Sequence, residues 1–372
     1  MALQVREIKK WLDSRFPPRW AESWDHIGLQ VGNPEQRVER IGISLEATPS
    51  SVAWAVQNKL QLLICHHPLF FSPLFSLETG REPGRTVSHL IKAGLSLLVA
   101  HTNLDAAPDG VSTALANRLG LEHLRPLEHR LEQKVKVVVF IPSGYEENIT
   151  EALKGLKAGR IGPYRLCTFK CRGEGTFLPD EDSHPFLGEV GRLQRASEWR
   201  LEILTNRDDL GELIKTVRRL HPYEEMAYDI YPLENPSDQV GLGRLGFYDP
   251  PMSWENLLQR LKHEVETPQI KVSGDIPLQV QKMAVCGGSA ASLIPAVLSA
   301  GAEVLICGEI GYHPIVSHQG AGVTFIEIGH YHSEKWIIPY LAEMMKLAQS
   351  TEGWGIDILE YREPGDPYSQ YF

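Results

Sequence analysis

Hydrophobic positions along the chain fall into strand-sized runs that alternate with helix-sized stripes. Near the amino terminus, apolar side chains recur at helical spacing through Val5, Ile8, Leu12 and Phe16, and Pro17 ends the predicted helix. Predicted strands and helices then alternate, with strands at 41–45, 62–65 and 95–100 and helices at 49–59, 84–93 and 109–119. This alternation predicts a parallel sheet with helices on its faces.

The same alternation returns in the last quarter of the chain. Strands are predicted at 283–286, 304–307 and 323–328, and a helix at 290–299. A long helix over 333–349 follows, in which Pro339 predicts a kink.

The middle of the chain has a different order of elements. It predicts strands at 134–141, 164–170, 199–205 and 227–232, with helices at 146–157 and 208–220. This βαββαβ order is typical of a ferredoxin-like α+β domain. We therefore predict a discontinuous α/β domain over 1–127 and 243–372, with a mostly parallel sheet flanked by helices, and an inserted domain over 128–242.

Composition narrows the class of protein. The 372 residues include 37 lysines and arginines against 47 aspartates and glutamates, a net charge of −10, which disfavours nucleic acid as a partner. No apolar run approaches 18 residues, so a membrane partner is not expected. The charged amino terminus lacks the apolar segment of a secretory signal, and the five cysteines are too few for a disulfide scaffold. These features predict a cytoplasmic, enzyme-sized protein.

Histidines and carboxylates cluster where predicted strands end. His66 and His67 follow the strand at 62–65, and the segment from His101 to Asp105 follows the strand at 95–100. His330 follows the strand at 323–328, and Glu334 comes four residues later. Ligands of open parallel sheets bind outside the carboxyl ends of the strands. Imidazole and carboxylate together suit zinc, iron or manganese, so the sequence predicts a divalent metal site.

The arrangement of these residues predicts two ions rather than one. Adjacent strand residues point to opposite faces, so His66 and His67 are expected to serve one ion each. Glu334 has two oxygens with which to bridge the ions, and its i,i+4 relation to His330 places both on one helical face. Two ions about 3.5–4 Å apart polarise a substrate oxygen and generate hydroxide near neutral pH.

Two glycine-rich segments give weaker signals. The segment 241–246 matches G-x-G-x-x-G, but Pro250 and Pro251 block the helix that a dinucleotide site requires, so this interpretation is rejected. The segment 286–289, Cys-Gly-Gly-Ser, is equally consistent with an anion-binding nest and with a simple tight turn.

Several motifs together resemble the NIF-three-like dinuclear-metal family, whose members are described as type 2 homologues of GTP cyclohydrolase I. They are Trp-Asp-His-Ile-Gly-Leu-Gln-Val-Gly at 24–32, His-His-Pro at 66–68, His-Thr-Asn-Leu-Asp at 101–105, Gly-Glu-Ile-Gly-Tyr-His at 308–313 and Gly-His-Tyr-His-Ser-Glu at 329–334. The resemblance covers essentially the whole chain.

The resemblance implies specific roles for these residues. The metal ligands it implies are His66, His67, Asp105, His330 and Glu334, with Glu334 as the bridge. His101 and His313 match polar positions that line the family's cavity, and they are the candidate catalytic residues.

The resemblance also bears on the middle segment and on assembly. The segments Gly-Glu-Gly-Thr-Phe at 173–177 and His-Pro-Tyr-Glu-Glu at 221–225 are similar to the extra domain of the longer members, a relative of CutA and PII-type signalling proteins. That form implies self-association into a homo-hexamer, in which the metal domains pair and the inserted domains form trimers.

Four positions depart from the family's pattern. Glu46, Glu309 and Glu327 stand where relatives commonly have aspartate, and His26 stands where asparagine is usual. Each glutamate places its carboxylate about one methylene group further from the backbone.

Two functions follow as hypotheses. The first is a metal-dependent hydrolase that acts on a small-molecule substrate, for which a nucleotide such as GTP is one candidate. The second is a non-catalytic metal-binding regulator or metal handler, whose inserted domain senses a ligand.

Overall fold

The computed structural model describes residues 3–362 and 366–368. The chain divides into two compact units, one formed by Met1–Arg130 with Ser237–Phe372 and the other by Leu131–Pro236. The predicted domain bounds were 127/128 and 242/243.

The elements of the first 131 residues are, in chain order, α1 (Val5–Arg15), β1 (Gly28–Val31), β2 (Arg40–Ser44), α2 (Pro49–Gln57), β3 (Leu62–Cys65), α3 (Gly84–Ala93), β4 (Ser96–Val99), α4 (Thr102–Asp105), α5 (Val111–Arg118) and β5 (Glu122–Leu131). The elements of the second unit are β6 (Lys134–Pro142), α6 (Glu146–Ala152), β7 (Thr168–Phe177), β8 (Gln194–Asn206), α7 (Leu210–Leu220) and β9 (Tyr228–Pro232).

The remaining elements return to the first unit. They are β10 (Pro236–Ser253), α8 (Trp254–His263), β11 (Lys271–Ser273), β12 (Gln279–Ser289), α9 (Ile294–Ala300), β13 (Val304–Glu309), α10 (Tyr312–Ser317), β14 (Thr324–Glu327), α11 (His330–Glu334), α12 (Ile337–Glu352) and β15 (Asp357–Glu360). Among the described residues, no helix is both long and apolar enough to cross a membrane.

The described residues of the first unit form two sheets, whereas the sequence predicts one. One sheet has the order β1-β4-β3-β2-β15, in which β4, β3, β2 and β15 run parallel and β1 is antiparallel. The other has the order β11-β14-β13-β12-β10-β5, in which β14, β13 and β12 run parallel. The prediction missed this division because it depends on pairing between strands that are distant in the sequence. It also missed β1, β5, β11 and β15, which are partly exposed and lack a continuous apolar run.

Helix α1 covers a core against the first sheet. Val5, Ile8, Leu12 and Phe16 are all buried, as their spacing predicts, and they cluster with apolar residues of α12 such as Leu341. The apolar stripe of α1 therefore ties the amino terminus to the carboxyl-terminal helix.

The helix predicted over 333–349 is two helices rather than one kinked helix. Helix α11 ends at Glu334, and α12 begins at Ile337. Pro339 lies in the first turn of α12, where a missing backbone N–H costs no helical hydrogen bond. The break lets α11 remain a short element next to the end of β14.

In the second unit, two helices pack on one face of a four-stranded sheet. The strand order is β7-β8-β6-β9, and every neighbouring pair is antiparallel. The core lies between the buried side chains of β6, such as Val137 and Val139, and the stripe of α7 that carries Leu213 and Val217. Phe140 and Glu198, which alternate with these core positions, therefore belong to the other face of the sheet.

Candidate metal centre

His66 and His67 lie directly beyond the carboxyl end of β3. The four residues of β3 are all buried, and the backbone N–H groups of His66 and His67 donate to the carbonyls of Ser44 and Leu45 at 3.2 and 2.8 Å. The ladder with β2 thus continues through both histidines and fixes their backbone. The side chain of His66 is almost fully buried, and that of His67 is 12% exposed.

His330 and Glu334 come from the other sheet of the same unit. They are the first and last residues of α11, which follows β14 after Gly329. His330 Nε2 lies 3.3 Å from Glu334 Oε1, in agreement with the predicted i,i+4 relation. The Glu334 side chain is only 4% exposed, so its carboxylate faces inward.

The Glu334 carboxylate joins the two groups of residues. Its Oε2 lies 3.0 Å from His67 Nε2, and its Oε1 lies 3.9 Å from His66 Nε2. Asp105, the last residue of α4, also contacts this group, with Oδ1 3.6 Å from His66 Nε2. The structure therefore brings the five predicted ligands together.

In four histidines of the centre, the Nδ1 atom is held by a hydrogen bond to an oxygen atom. An oxygen lies about hydrogen-bonding distance from each Nδ1, and the pairs are His66 with Ala100 O at 3.0 Å, His67 with Glu46 Oε1 at 3.2 Å, His101 with Asp25 Oδ1 at 2.9 Å and His330 with Glu309 Oε1 at 3.2 Å. Because carbonyl and carboxylate oxygens only accept hydrogen bonds, Nδ1 is the protonated nitrogen in each pair. Nε2 is therefore the nitrogen of each ring that can bind a metal ion, which displaces any proton from it, and this is the arrangement that metal-binding histidines use.

Glu46 and Glu309 acquire a role that sequence reasoning missed. Both were noted only as departures from the family's pattern, yet their longer side chains contact the ligands His67 and His330 directly. Glu327, the third such glutamate, instead accepts hydrogen bonds from the backbone N–H groups of Ile310 and Gly311.

Asp25 is a second residue that sequence reasoning did not single out. Its carboxylate accepts hydrogen bonds from His101 Nδ1, from the Thr102 backbone N–H and from the Thr102 hydroxyl. Burial alone raises the pKa of Asp25, but the hydrogen bonds from His101 and Thr102 outweigh it and hold the pKa well below its usual range. The only sign of this role in the sequence is that Asp25 lies in the segment 24–32, one of the motifs that resemble the family.

Gly288 makes room for the carboxylate of Glu334. A Cβ atom at this position would lie 2.4 Å from Glu334 Oε1, and the backbone has a φ of +65°, which favours glycine. The Gly288 N–H donates to Ser333 Oγ, one residue before Glu334, at 2.9 Å. Of the two interpretations of the segment 286–289, the structure favours neither a free nest nor a simple turn, since the segment ends β12 and packs against α11.

Burial and charge shift the pKa values of the central groups in opposite directions. Burial lowers the pKa of His66 to about 3. Burial also acts to lower the pKa of His67, but attraction to Glu334 overrides it and raises the pKa to about 10, while a hydrogen bond to Glu334 raises that of His330 to about 9. Burial, together with the neighbouring Glu334 carboxylate, raises the pKa of Asp105 well above its usual range.

The residues fit a divalent cation. His66 Nε2 is buried and has no hydrogen-bond partner among the described residues, although such atoms are almost always satisfied in folded proteins. Two groups of donor atoms are close enough to share an ion, His66 with His67 and His101, and His67 with His330 and Glu334. Nitrogen and oxygen donors of this kind suit zinc, iron and manganese.

The other predicted residues lie differently. His101 joins the centre, with its ring centroid 5.2 Å from that of His66 and 5.5 Å from that of His67. His313 is exposed on α10, its ring contacts Tyr312, and it has no hydrogen bond or ion pair with the five ligands within the described ranges. His26 is exposed, and its backbone N–H donates to Asp25 Oδ1.

Comparison with known proteins relates this arrangement to a family. Residues 3–367 match the family described as Duf34/NIF3 (NGG1p interacting factor 3). The chain is 33% identical over 329 residues to a GTP cyclohydrolase 1 type 2 homolog of Halalkalibacterium halodurans, which covers 88% of this chain and 87% of the relative. It is 31% identical over 365 residues to the protein of the same name from Bacillus subtilis, with 98% of both chains covered.

A solved structure agrees over the full length. The crystal structure of a Bacillus cereus protein related to NIF3 is 31% identical, covers 100% of both chains and superposes with a TM-score of 0.83. The chain therefore belongs to the Duf34/NIF3 family.

Proposed function

We propose that the protein is a hydrolase dependent on two divalent metal ions, with a nucleotide or a similar small molecule as its substrate. The observation that carries this proposal is the position of Glu334, whose two carboxylate oxygens lie within 3.0–3.9 Å of the Nε2 atoms of three histidines. A buried carboxylate among three imidazoles is suited to bridge a pair of ions.

The ligands divide naturally between the two ions. His66 and Asp105 would hold one ion, His67 and His330 would hold the other, and Glu334 would contact both. Two such ions supply polarisation of a substrate oxygen and a water molecule with a lowered pKa. Glu46 and Glu309 keep the rings of His67 and His330 oriented and raise their basicity as ligands.

His101 is the best placed group for moving a proton. Asp25 holds its Nδ1, so Nε2 can accept or donate a proton at a bound substrate. The exposed ring of Trp24 packs edge-on against His101 at 6.1 Å between centroids, and Phe71 does so at 6.2 Å. We assign His101 as the acid–base residue and keep His313 as a second catalytic candidate.

The substrate class rests on the relatives. The names of the relatives refer to GTP cyclohydrolase 1, whose ring-opening chemistry requires an activated water molecule. A nucleoside triphosphate is therefore the first substrate to test.

The experiment has two readouts. Elemental analysis after saturation with zinc, manganese or iron and gentle desalting should give two ions per chain. A panel of nucleotides should show turnover in the wild type and none in Glu334→Gln, whereas Glu35→Gln, which alters an exposed glutamate paired with Arg6, should match the wild type. One ion per chain at saturation would contradict the dinuclear site, and equal turnover in Glu334→Gln would contradict the catalytic role.

A metal-binding regulator or metal handler is the second candidate function. The observation that favours this function is a cavity inside the second unit, which suits a separate ligand. Among the described residues of that unit, no group of side chains is arranged to hold a metal ion. Tight metal binding without turnover of any nucleotide would support this role over the hydrolase.

We also propose that the second unit is a ferredoxin-like domain of the CutA and PII type and that the protein assembles in the cytoplasm as a homo-hexamer. The strand order β7-β8-β6-β9, with helices on one face, supports the assignment of the domain. Its two edge strands, β7 and β9, favour self-association, because open edges are usually covered. Light scattering at micromolar concentration should give a hexamer, and a monomer would refute it.

A further inference from the structure

The second unit contains a cavity of about 300 Å³ on the face of its sheet opposite the helices. Its lining includes Phe140 of β6, Glu198 of β8, the end of β7 and residues of the segment 183–187. This volume lies at the lower end of the range for small-molecule sites. None of the five metal ligands lines it.

Glu198 places a buried carboxylate in this cavity, and within the described residues no cation pairs with it. The residue is 9% exposed, and no described lysine, arginine or histidine forms an ion pair with it. One hydrogen bond reaches it within the described part of the chain, from the Tyr223 hydroxyl to Oε1 at 2.9 Å. A buried carboxylate with so few partners is costly, because glutamate is rarely buried unless paired.

His221, whose ring lies 5.2 Å from that of Tyr223, does not act as the counter-ion. Its Nε2–H donates to the Phe140 carbonyl at 2.8 Å, and its Nδ1 accepts from the Tyr223 backbone N–H at 3.2 Å. One donor and one acceptor define the neutral tautomer. Neutral His221 therefore leaves Glu198 without a cationic partner among the described residues.

The local backbone is adapted to this position of the carboxylate. A Cβ atom on Gly175 of β7 would lie 2.2 Å from Glu198 Oε2, so any larger residue at this position would displace the carboxylate. Arg200 and Glu202 lie on the same face of strand β8 as Glu198 and are partly exposed, whereas Glu198 is buried. Glu198 is thus buried by the cavity walls and not by the core of the unit.

Aromatic rings form the remaining walls. Tyr223 lies between Phe177 and Phe186, with both centroid distances at 6.2 Å, and Tyr145 packs edge-on against Phe186 at 5.6 Å. Rings at such distances offer flat apolar surfaces to a planar ligand, and their faces attract cations.

The negatively charged side chains that line the cavity favour a positively charged ligand. Besides Glu198, the lining includes Glu224 and Glu225, and it includes no lysine or arginine among the described residues. Glu224 is held in place, since its Oε1 accepts the His184 backbone N–H at 2.9 Å. Phosphates and carboxylates are repelled from such a site, so this cavity does not suit a nucleotide.

We propose that this cavity is a binding site for a small planar cation of the amidinium or guanidinium type. The two N–H groups of such a cation match the two oxygens of Glu198, and its flat body can pack against the rings of Phe177, Tyr223 and Phe186 that line the cavity. This site is separate from the metal centre and gives the second unit a ligand of its own.

Calorimetric titration of the full-length protein tests the site with benzamidine as the probe. Neutral benzamide and anionic benzoate have nearly the same shape and serve as charge controls. Benzamidine should bind at least about tenfold more tightly than benzamide, and benzoate should not bind detectably. Equal binding of benzamidine and benzamide would overturn the proposal.

Two variants locate the binding. Glu198→Gln keeps the shape of the side chain and should reduce benzamidine affinity to that of benzamide. Glu202→Gln changes the same strand and face, but its carboxylate pairs with Lys136, so this control should leave affinity unchanged. Wild-type affinity in Glu198→Gln would overturn the proposal.

A further variant guards against a folding defect in Glu198→Gln. Gly175→Ala leaves the charge present but displaces the carboxylate, and it should weaken benzamidine binding at least about tenfold, provided that circular dichroism shows native structure. Unchanged binding in natively folded Gly175→Ala would likewise overturn the assignment.

Discussion

At the scale of single residues, two glutamate side chains hold the rings of two predicted metal ligands. The carboxylates of Glu46 and Glu309 reach the Nδ1 atoms of His67 and His330, both at 3.2 Å. The orientation of the two rings therefore depends on side chains that are not themselves expected to bind the ions.

We expect Glu46→Gln and Glu309→Gln each to weaken metal affinity by about 10–100-fold while leaving the fold intact. The amide keeps the shape of the side chain but removes the charge that makes the imidazole more basic. Competition with a chromophoric chelator measures the change, and Glu35→Gln is the control on an exposed glutamate. Wild-type affinity in both variants would show that the two glutamates do not support the ligands.

His221 makes the stability of the protein depend on pH. Burial lowers the pKa of His221 below its ordinary value of 6.5, so the unfolded chain binds a proton at a higher pH than the folded chain does. Its contribution to stability is complete above about pH 6.5 and is lost as the pH falls below that value.

Urea unfolding between pH 7 and pH 5, followed by circular dichroism, measures this effect. We expect His221→Gln, whose amide can still donate to the Phe140 carbonyl, to lose less stability over this interval than the wild type does. One histidine can change the free energy of unfolding by at most about 1.4 kcal/mol per pH unit. Parallel pH profiles for the two proteins would contradict this role.

At the scale of elements, the amino end of α2 shows how local hydrogen bonds place a helix beside the site. Thr48 Oγ1 accepts the Ser51 backbone N–H at 3.1 Å, and Ser51 Oγ accepts the Thr48 backbone N–H at 2.9 Å. Ser51 Oγ also donates to the carbonyl of Glu46 at 2.8 Å. The cap therefore fixes the turn that carries Glu46.

We expect Thr48→Ala to lower the free energy of unfolding by about 1 kcal/mol, because it leaves a helix-terminal N–H without its acceptor. Thr48→Ser retains the hydroxyl and is the matched control, with a change of a few tenths of a kcal/mol at most. Urea denaturation at neutral pH gives both values. A stability of Thr48→Ala equal to that of Thr48→Ser would mean that the cap contributes nothing measurable.

At the scale of the whole molecule, the chain leaves the first unit and returns to it at neighbouring points. The backbone N–H of Glu132 donates to the carbonyl of Asn235 at 2.6 Å, so the two ends of the second unit lie side by side. Strands β5 and β10, which lead into and out of it, are also neighbours in one sheet. A short linker can therefore replace the whole segment.

We expect a variant in which a Gly-Ser linker replaces residues 132–235 to fold and to retain metal binding. All five predicted ligands lie outside the deleted segment. The deletion also removes no strand from the two sheets of the first unit. Circular dichroism tests folding, and elemental analysis compares metal content with that of the full chain. Loss of metal from a well-folded deletion variant would contradict this expectation.

The sequence by itself determined the features that depend on neighbours along the chain. The stripe of α1, the buried strands β3 and β13 and the i,i+4 relation of His330 and Glu334 all follow from local periodicity, which repeats within a few residues. The sequence also predicted that the ligands follow strands, since each predicted ligand lies within a few residues of the end of an apolar run.

Only the tertiary structure decided which separate segments meet. The division of the first unit into two sheets depends on strand pairing between distant residues, and no local pattern encodes it. The pairing of Glu46 with His67 and of Asp25 with His101 likewise joins residues 21 and 76 positions apart. Glu198 is the clearest case, since it lies just before the strand predicted at 199–205, and only the fold buries its side chain among aromatic rings that lie elsewhere in the chain.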